Sequence, residues 1–395
     1  MGDWSENAAA MADIYRNAYL TIAATASYNS HEGCFRFATN CNALPLQRTP
    51  GLLVREREQT FPIRWADSFE GYPLLQRAWV YQERRMSARI VHFTGTQLVW
   101  ECRSVVEAED GWCVEIRKDH EGISLIDSKD NRSDHSAWQK TVQEYSRLDL
   151  TFETDRLPAI AAIVKDEMDA RKNDVYLAGM WRSTLLADLM WFRYSDYGEI
   201  AGEGQRTTTV APTWSWASTN GAVLFWELVL LSNVRILEVS YIPDGPQQMG
   251  KYSNAAITVE GPMIRATFDF ESGSHRANSS TRSMGDLVPC DSAGSILSLP
   301  PGIQAYGQYA DFDFFADGPL NEQLNPLFFI FLSLDPAGLY RRGQGLVLRQ
   351  RSDHDFERIG TCICYCNDSQ LDMHEREESV RAYINTLPVG KATIV

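Results

Sequence analysis

Apolar residues near the start of the chain recur with the period of a helix. Met11, Ile14, Tyr15 and Ala18 stand at i, i+3, i+4 and i+7, which predicts one buried stripe. Ahead of them, Asp3-Trp4-Ser5-Glu6 has the spacing of a capping box, with Asp3 accepting from free backbone N–H groups and Glu6 answering three residues on. Residues 19–25 are small and β-branched and predict a strand. A second helical pattern runs over 74–86. It leads into two β-rich runs, 89–93 and 96–102, separated by Thr94-Gly95 at the length of a tight hairpin.

The texture then changes twice. Residues 107–135 are rich in charge, Ser, Asp and Asn and read as a surface excursion without regular structure. Three helical faces follow: Trp138, Val142 and Tyr145; then Leu157, Ile160, Ala161, Val164 and Met168; then Trp181, Leu185, Leu189 and Phe192. Beyond Thr207 the pattern is strand-like, with pieces over 223–231, 233–242, 256–261, 327–334, 345–349 and 359–366 and a Ser/Gly-rich loop over 271–301. The expected division is 1–105, a linker over 106–135, a helical segment over 136–200 and a β-rich region over 205–395. The fold class is α/β at the front, then helical, then β-rich: α+β as a whole.

Composition narrows the function classes. With 395 residues and 44% hydrophobic content the chain has enough apolar material for a sizeable core. Acidic residues outnumber basic ones 52 to 37, for a formal charge of −15, so the long-range field repels phosphate backbones and nucleic acid is not an expected partner. The eight cysteines are irregularly spaced and no signal peptide precedes them, the pattern of reduced thiols in an intracellular, cytoplasmic protein. No apolar run is long enough for a membrane span.

Several residues invite a chemical reading beside a structural one. Cys362, Cys364 and Cys366 alternate, so in a strand they share one side; zinc ligands usually come as pairs from separate elements, and a core-facing row of thiols with no metal fits better. His92 falls in a β-run with no nucleophile visible nearby and reads as a packed or edge histidine. Trp214 and Trp216 place two indoles on one side of an extended segment, which suits an aromatic core layer. Arg77, Gln82, Glu83 and Arg89 are polar residues on the second helix and the following strand, either a partner-contacting surface or a brace of that helix on the sheet; Arg77 and Trp79, two apart, cannot share a helical face. No phosphate-binding glycine loop is present.

Four strings, taken together and in order, resemble the fungal heterokaryon incompatibility (HET) family. They are Asp3-Trp4 through Glu6, Ile14-Tyr15 and residues 20–25 to Gly33-Cys34-Phe35; Arg77-Ala78-Trp79-Val80-Tyr81-Gln82-Glu83 with Arg89-Ile90 and Trp100-Glu101-Cys102; Asp155-Arg156-Leu157-Pro158-Ala159 with residues 176–181; and Ala211-Pro212-Thr213-Trp214-Ser215-Trp216. The resemblance covers about the first 220 residues. The family's opening Ser-Tyr-x-Trp-Gly and Trp-Ile-Asp strands have no counterpart here, so the chain is expected to be an N-terminally truncated member that starts inside the domain, leaving the Met11 stripe short of a packing partner. The resemblance implies a self/non-self recognition and programmed cell death role exerted through a protein partner. It also implies distant kinship with the Toll/interleukin-1 receptor fold, some members of which cleave NAD with a glutamate. Glu6 is the nearest candidate for that carboxylate, although capping alone accounts for a glutamate there. An inactive paralogue is the third reading.

Overall fold

The computed structural model describes residues 11–35, 44–45, 53–54, 61–63, 68–115, 134–193, 210–226, 228–246, 251–269, 286–295, 297–307, 327–334 and 342–395. Asp3, Trp4 and Glu6, and with them the expected capping box, lie outside the described residues. The architecture is α+β, and the chain divides into two compact units. The first takes 1–134 and 148–171, the second 135–147 and 172–395.

In the first unit a helix over 11–17 (α1) precedes strand β1 (Thr21–Ala23). A two-strand ribbon, β2 (Leu44–Pro45) and β3 (Leu53–Val54), comes next. The expected helix over 74–86 is split. Pro73–Gln76 is a 3-10 turn, Arg77 is extended at ψ 129°, and the α-helix proper (α2) is Ala78–Met86. The break has a local cause, because Asp149 runs alongside: its N–H bonds to the Gln76 carbonyl and its carbonyl accepts from the Ala78 N–H, which a continuous helix would not allow. Strands β4 (Arg89–Phe93), β5 (Leu98–Cys102), β6 (Val105–Ala108) and β7 (Cys113–Glu115) complete a sheet ordered β1-β4-β5-β6-β7. β1 is parallel to β4 and the other pairs are antiparallel. Two sequence expectations change here. The hairpin loop spans four residues, because Phe93 pairs with Leu98 and Thr94 bonds to Gln97, and the presumed excursion contributes β6 and β7. Val106 and Ala108 face inward and extend the core of Phe61, Leu75, Val80 and Val99, so alternation over four residues outweighs the polar composition around it.

The stripe on α1 is also placed differently. Ala12 is fully buried, Met11, Tyr15 and Ala18 are half-buried, and Ile14 is 58% exposed. α1 is held by polar contacts instead: Arg16 pairs with Asp166. Asp166 lies on the helix Ala161–Ala170 (α4), reached after the helix Asp134–Tyr145 (α3), nearly all of which belongs to the second unit.

The second unit begins with α3, whose Trp138, Val142 and Tyr145 are buried on one face as their spacing requires. The third expected helix is not one helix. Tyr176–Leu177 (β8) and Met180–Trp181 (β9) form a hairpin, Leu185–Asp188 (α5) is a single turn, and Trp191–Arg193 (β10) pairs with Val223–Phe225 (β11). Trp181, Leu185 and Leu189 are all buried, so the apolar spacing marks a core path without marking its secondary structure.

The remaining strands form one sheet: β12 (Val229–Leu230), β13 (Arg235–Pro243), β14 (Tyr252–Asp269), β15 (Asp286–Pro289), β16 (Ile303–Gly307), β17 (Leu327–Leu334), β18 (Gly343–Gln350), β19 (Asp355–Cys366) and β20 (Val389–Ile394). The 18-residue β14 pairs with β20 from Ile257↔Ile394 to Pro262↔Val389 and with β17 from Met263↔Ile330 to Ala266↔Leu327. The pairings β14-β17-β18-β19-β20-β14 therefore return to their start as a closed ring of five strands, which leaves no free edge on the ring. The helix Met373–Thr386 (α6) packs on β18 and β19. It begins with a capping box between Asp372 and Glu375, and its Val380 and Ile384 lie close against Gly343, where a Cβ would collide.

Candidate functional site

α2 organises the first unit through side chains that the sequence marks as polar. Gln82 is fully buried, and its Oε1 accepts from the Ala162 N–H at 3.0 Å, satisfying a free donor in the first turn of α4. Trp79 Nε1 donates to Asp155 Oδ2 at 3.0 Å. Glu83 meets the Tyr15 hydroxyl. Burial raises the Glu83 carboxyl above its ordinary value against the opposing pull of Tyr15 and Arg77, and burial followed by Glu83 itself raises the Tyr15 hydroxyl. Arg77 is exposed at the N-cap of α2, and Arg89 lies with its guanidinium 5.1 Å over the Tyr19 ring.

Behind α2 sits a buried polar chain that reading the sequence missed. Arg84 Nε donates to both oxygens of Glu101 at 3.0 and 2.9 Å, and Arg84 Nη2 donates to the Pro62 carbonyl at 3.0 Å. His92 Nε2 lies 3.0 Å from Glu101 Oε2, and His92 Nδ1 lies 2.9 Å from Thr25 Oγ1. A carboxylate only accepts, so the proton belongs on Nε2 and the Thr25 hydroxyl donates to Nδ1. Burial lowers the His92 pKa, with Arg84 adding to it and Glu101 opposing. Burial would raise the Glu101 carboxyl, but Arg84 and His92 hold it down at about 2. His92 is thus neutral beside an ionised Glu101.

This hydroxyl–imidazole–carboxylate arrangement has hydrogen-bond geometry that would suit nucleophile activation. Access decides against that use: Thr25, His92 and Glu101 are 0%, 1% and 3% exposed, and the Phe61 ring lies 4.8 Å from the imidazole. What the chain does is fix register. Thr25 follows β1, His92 is on β4 and Glu101 on β5, so one network ties the three segments together. The available signal was parity: His92 and Glu101 occupy inward positions on paired strands, and Arg84 is spaced to reach them from α2.

The third and fourth strings meet in the second unit. Ala178 and Gly179 form a two-residue turn between β8 and β9 with φ of 45° and 100°, the left-handed conformation that such hairpins need. Trp138 and Trp216 donate their indole N–H groups to the Gly179 carbonyl at 2.9 and 2.7 Å, and Ser215 Oγ donates to the Ala178 carbonyl. A Cβ on Gly179 would stand 2.7 Å from Trp216 Nε1. Trp214 and Trp216 are both buried but have different partners. The Trp214 carbonyl accepts from Trp191 Nε1 at 3.0 Å, and the Trp191 ring carries the buried Arg358 guanidinium 3.6 Å above it.

Cys362, Cys364 and Cys366 are buried on one side of β19; burial pushes the Cys362 thiol well up and Cys364 to about 12. Among the described residues no cluster of three or more His, Cys, Asp or Glu side chains is placed to hold a metal ion, and no helix is long and apolar enough to cross a membrane.

Searches of curated proteins and of solved structures find no match to the chain. Residues 1–83, ending within α2 at Glu83, match the family model Heterokaryon incompatibility protein (HET), so over this segment the chain is similar to that family.

Proposed function

We propose that the chain is a regulator of heterokaryon incompatibility that acts in self/non-self recognition and cell-death signalling by contacting a protein partner. The observation that carries this reading is the division of labour in the segment matching the family. Its polar motif residues Trp79 and Gln82 are engaged internally, and its Thr25 is sealed from solvent against His92 and Glu101, which lie beyond the match, while apolar residues face outward. Ile14, Tyr19 and Ile22 are exposed on α1, on β1 and between them, and β1 lies at the end of the strand order. Exposed apolar side chains grouped on one edge favour contact with another protein.

The test is induction of the full chain in a fungal host, scoring viability and NAD content, beside Ile22→Arg and Glu6→Ala. Ile22 points away from the buried face, so its replacement leaves the core intact. Killing that Ile22→Arg weakens, with NAD unchanged, is the expected result. NAD loss abolished by Glu6→Ala would instead establish the NAD-cleaving alternative, and killing indifferent to Ile22→Arg would remove the contact surface from the account.

A further inference from the structure

A cleft of about 480 Å³ opens on the second unit, within the size range of small-molecule sites. Its walls are aliphatic: Leu185 and Leu186 from α5, Leu228 and Leu230 around β12, and Ile236 from β13. At its rim stand Arg182, Ser183 and Thr184. The two hydroxyls are already engaged, Ser183 with Asp174 and Thr184 with Asp188 at 2.7 Å. Those bonds also occupy the nearby carboxylates. The Arg182 guanidinium is exposed and, among the described residues, makes no hydrogen bond or ion pair. The site therefore offers one uncommitted cation next to an aliphatic trough, in a chain whose net charge is −15.

We propose that this cleft binds a long-chain monocarboxylate, its alkyl tail along the leucines and its carboxylate on Arg182. The argument is complementarity: among the described residues the lining supplies apolar area and, as its one charged side chain, a guanidinium, which matches a carboxylate fork. A peptide strand is a poorer fit. β12 is two residues long, and β13 has an irregular register between Ile236 and Glu238 with charges at Arg235 and Glu238, which are features that blunt an edge against strand addition. Because each buried methylene is worth about fourfold in affinity, two more carbons should tighten binding about fifteenfold. The proposal is independent of the signalling role, since it concerns the second unit and a binding measurement.

Calorimetric titration of the full chain with decanoate, dodecanoate and uncharged decan-1-ol, each below its self-association limit, tests it. The expected result is one site, with dodecanoate about fifteenfold tighter than decanoate. Arg182→Gln should weaken decanoate about tenfold while leaving decan-1-ol unchanged, because it removes a charge-assisted bond at an exposed position. Leu230→Glu, which places a negative charge in the trough, should abolish carboxylate binding with thermal melting unchanged. Absence of dodecanoate binding at about 1 mM would overturn the proposal. So would multiple weak sites, or affinity indifferent to both substitutions.

Discussion

Replacing Glu101 by Gln keeps the shape of the buried chain and removes its charge. Arg84, 4% exposed, then keeps a guanidinium in the core with an amide where its carboxylate was. Breaking a buried pair by neutralising one partner typically costs about 3–5 kcal/mol. The electrostatics of Glu101 give a similar figure: a carboxyl moved from 4.5 to about 2 contributes on the order of 3 kcal/mol to folding. Because its pKa is depressed in the fold, that contribution is complete above about pH 4.5 and is lost as pH falls towards 2. His92, also depressed, acts in the same direction but earlier: the unfolded chain takes up its proton below about pH 6.5 while the folded imidazole resists it. Two units make a single melting curve ambiguous, so the assay is native-state hydrogen exchange on peptides covering β4 and β5. At pH 7, Glu101→Gln should lower their protection by about 3 kcal/mol, and the parent should lose protection in two acid steps of which only the upper survives in the variant. The double replacement Arg84→Met with Glu101→Leu should cost less than the two singles added together. Unchanged protection in Glu101→Gln at pH 7 would refute the claim that this network holds the sheet in register.

Gly179→Ala should destabilise the second unit by about 2 kcal/mol or more, since a Cβ there meets Trp216 and the backbone is left-handed; denaturant unfolding followed by tryptophan fluorescence reads it, and a neutral result would mean the turn re-forms elsewhere. Gln82→Leu should cost about 1–3 kcal/mol by leaving the Ala162 N–H buried without its acceptor, and hydrogen exchange in α4 should rise before that in β4. A thiol reagent at pH 8 should modify exposed Cys113 in the folded chain and reach Cys362, Cys364 and Cys366 only after denaturant is added; prompt labelling of the latter three would contradict their burial, and for Cys362 and Cys364 also their raised pKa values.

Much of this was legible where a short-range pattern had one meaning. The two strands of the β4–β5 hairpin, the continuous apolar run of β17 over Leu327–Leu334 and the helical spacing of the buried face of α3 were read directly, although the hairpin loop came out longer than expected. The failures have physical causes. The row of Trp181, Leu185 and Leu189 has helical spacing, yet the Gly179 carbonyl is claimed by two indoles far away in sequence, and that claim fixes a hairpin turn where a helix would have passed. α6 announces itself through Asp372 and Glu375, but its apolar face is narrow, with only Val380, Tyr383 and Ile384 buried, and the periodicity is correspondingly faint. The Thr25–His92–Glu101–Arg84 chain was hidden because none of its members is unusual alone. The ring of strands could not be read either, since closure depends on β14 meeting both β17 and β20, and pairing at that range leaves no local mark.

The family match ends at Glu83, but the unit it belongs to does not. Trp79 and Gln82 lie inside the match, while their partners Asp155 and Ala162 stand 76 and 80 residues further along. Arg77 and Ala78, likewise matched, are held in an extended-to-helical break by Asp149. The residues over 148–171 therefore complete the helix layer that the matched segment begins, after α3 has contributed to the other unit. A polar residue on a helix is usually read as facing water or a partner; here Gln82 is buried because a second helix needs an acceptor at its first turn. The Asp155-Arg156-Leu157-Pro158-Ala159 string then has a physical reason to occur with the Arg77–Glu83 string in one chain: Asp155 accepts from Trp79, and Gln82 satisfies the Ala162 N–H in the helix that follows the string. Sequence separation between motifs is thus no guide to which of them build one unit, whereas the hydrogen-bond demands of each buried polar side chain are.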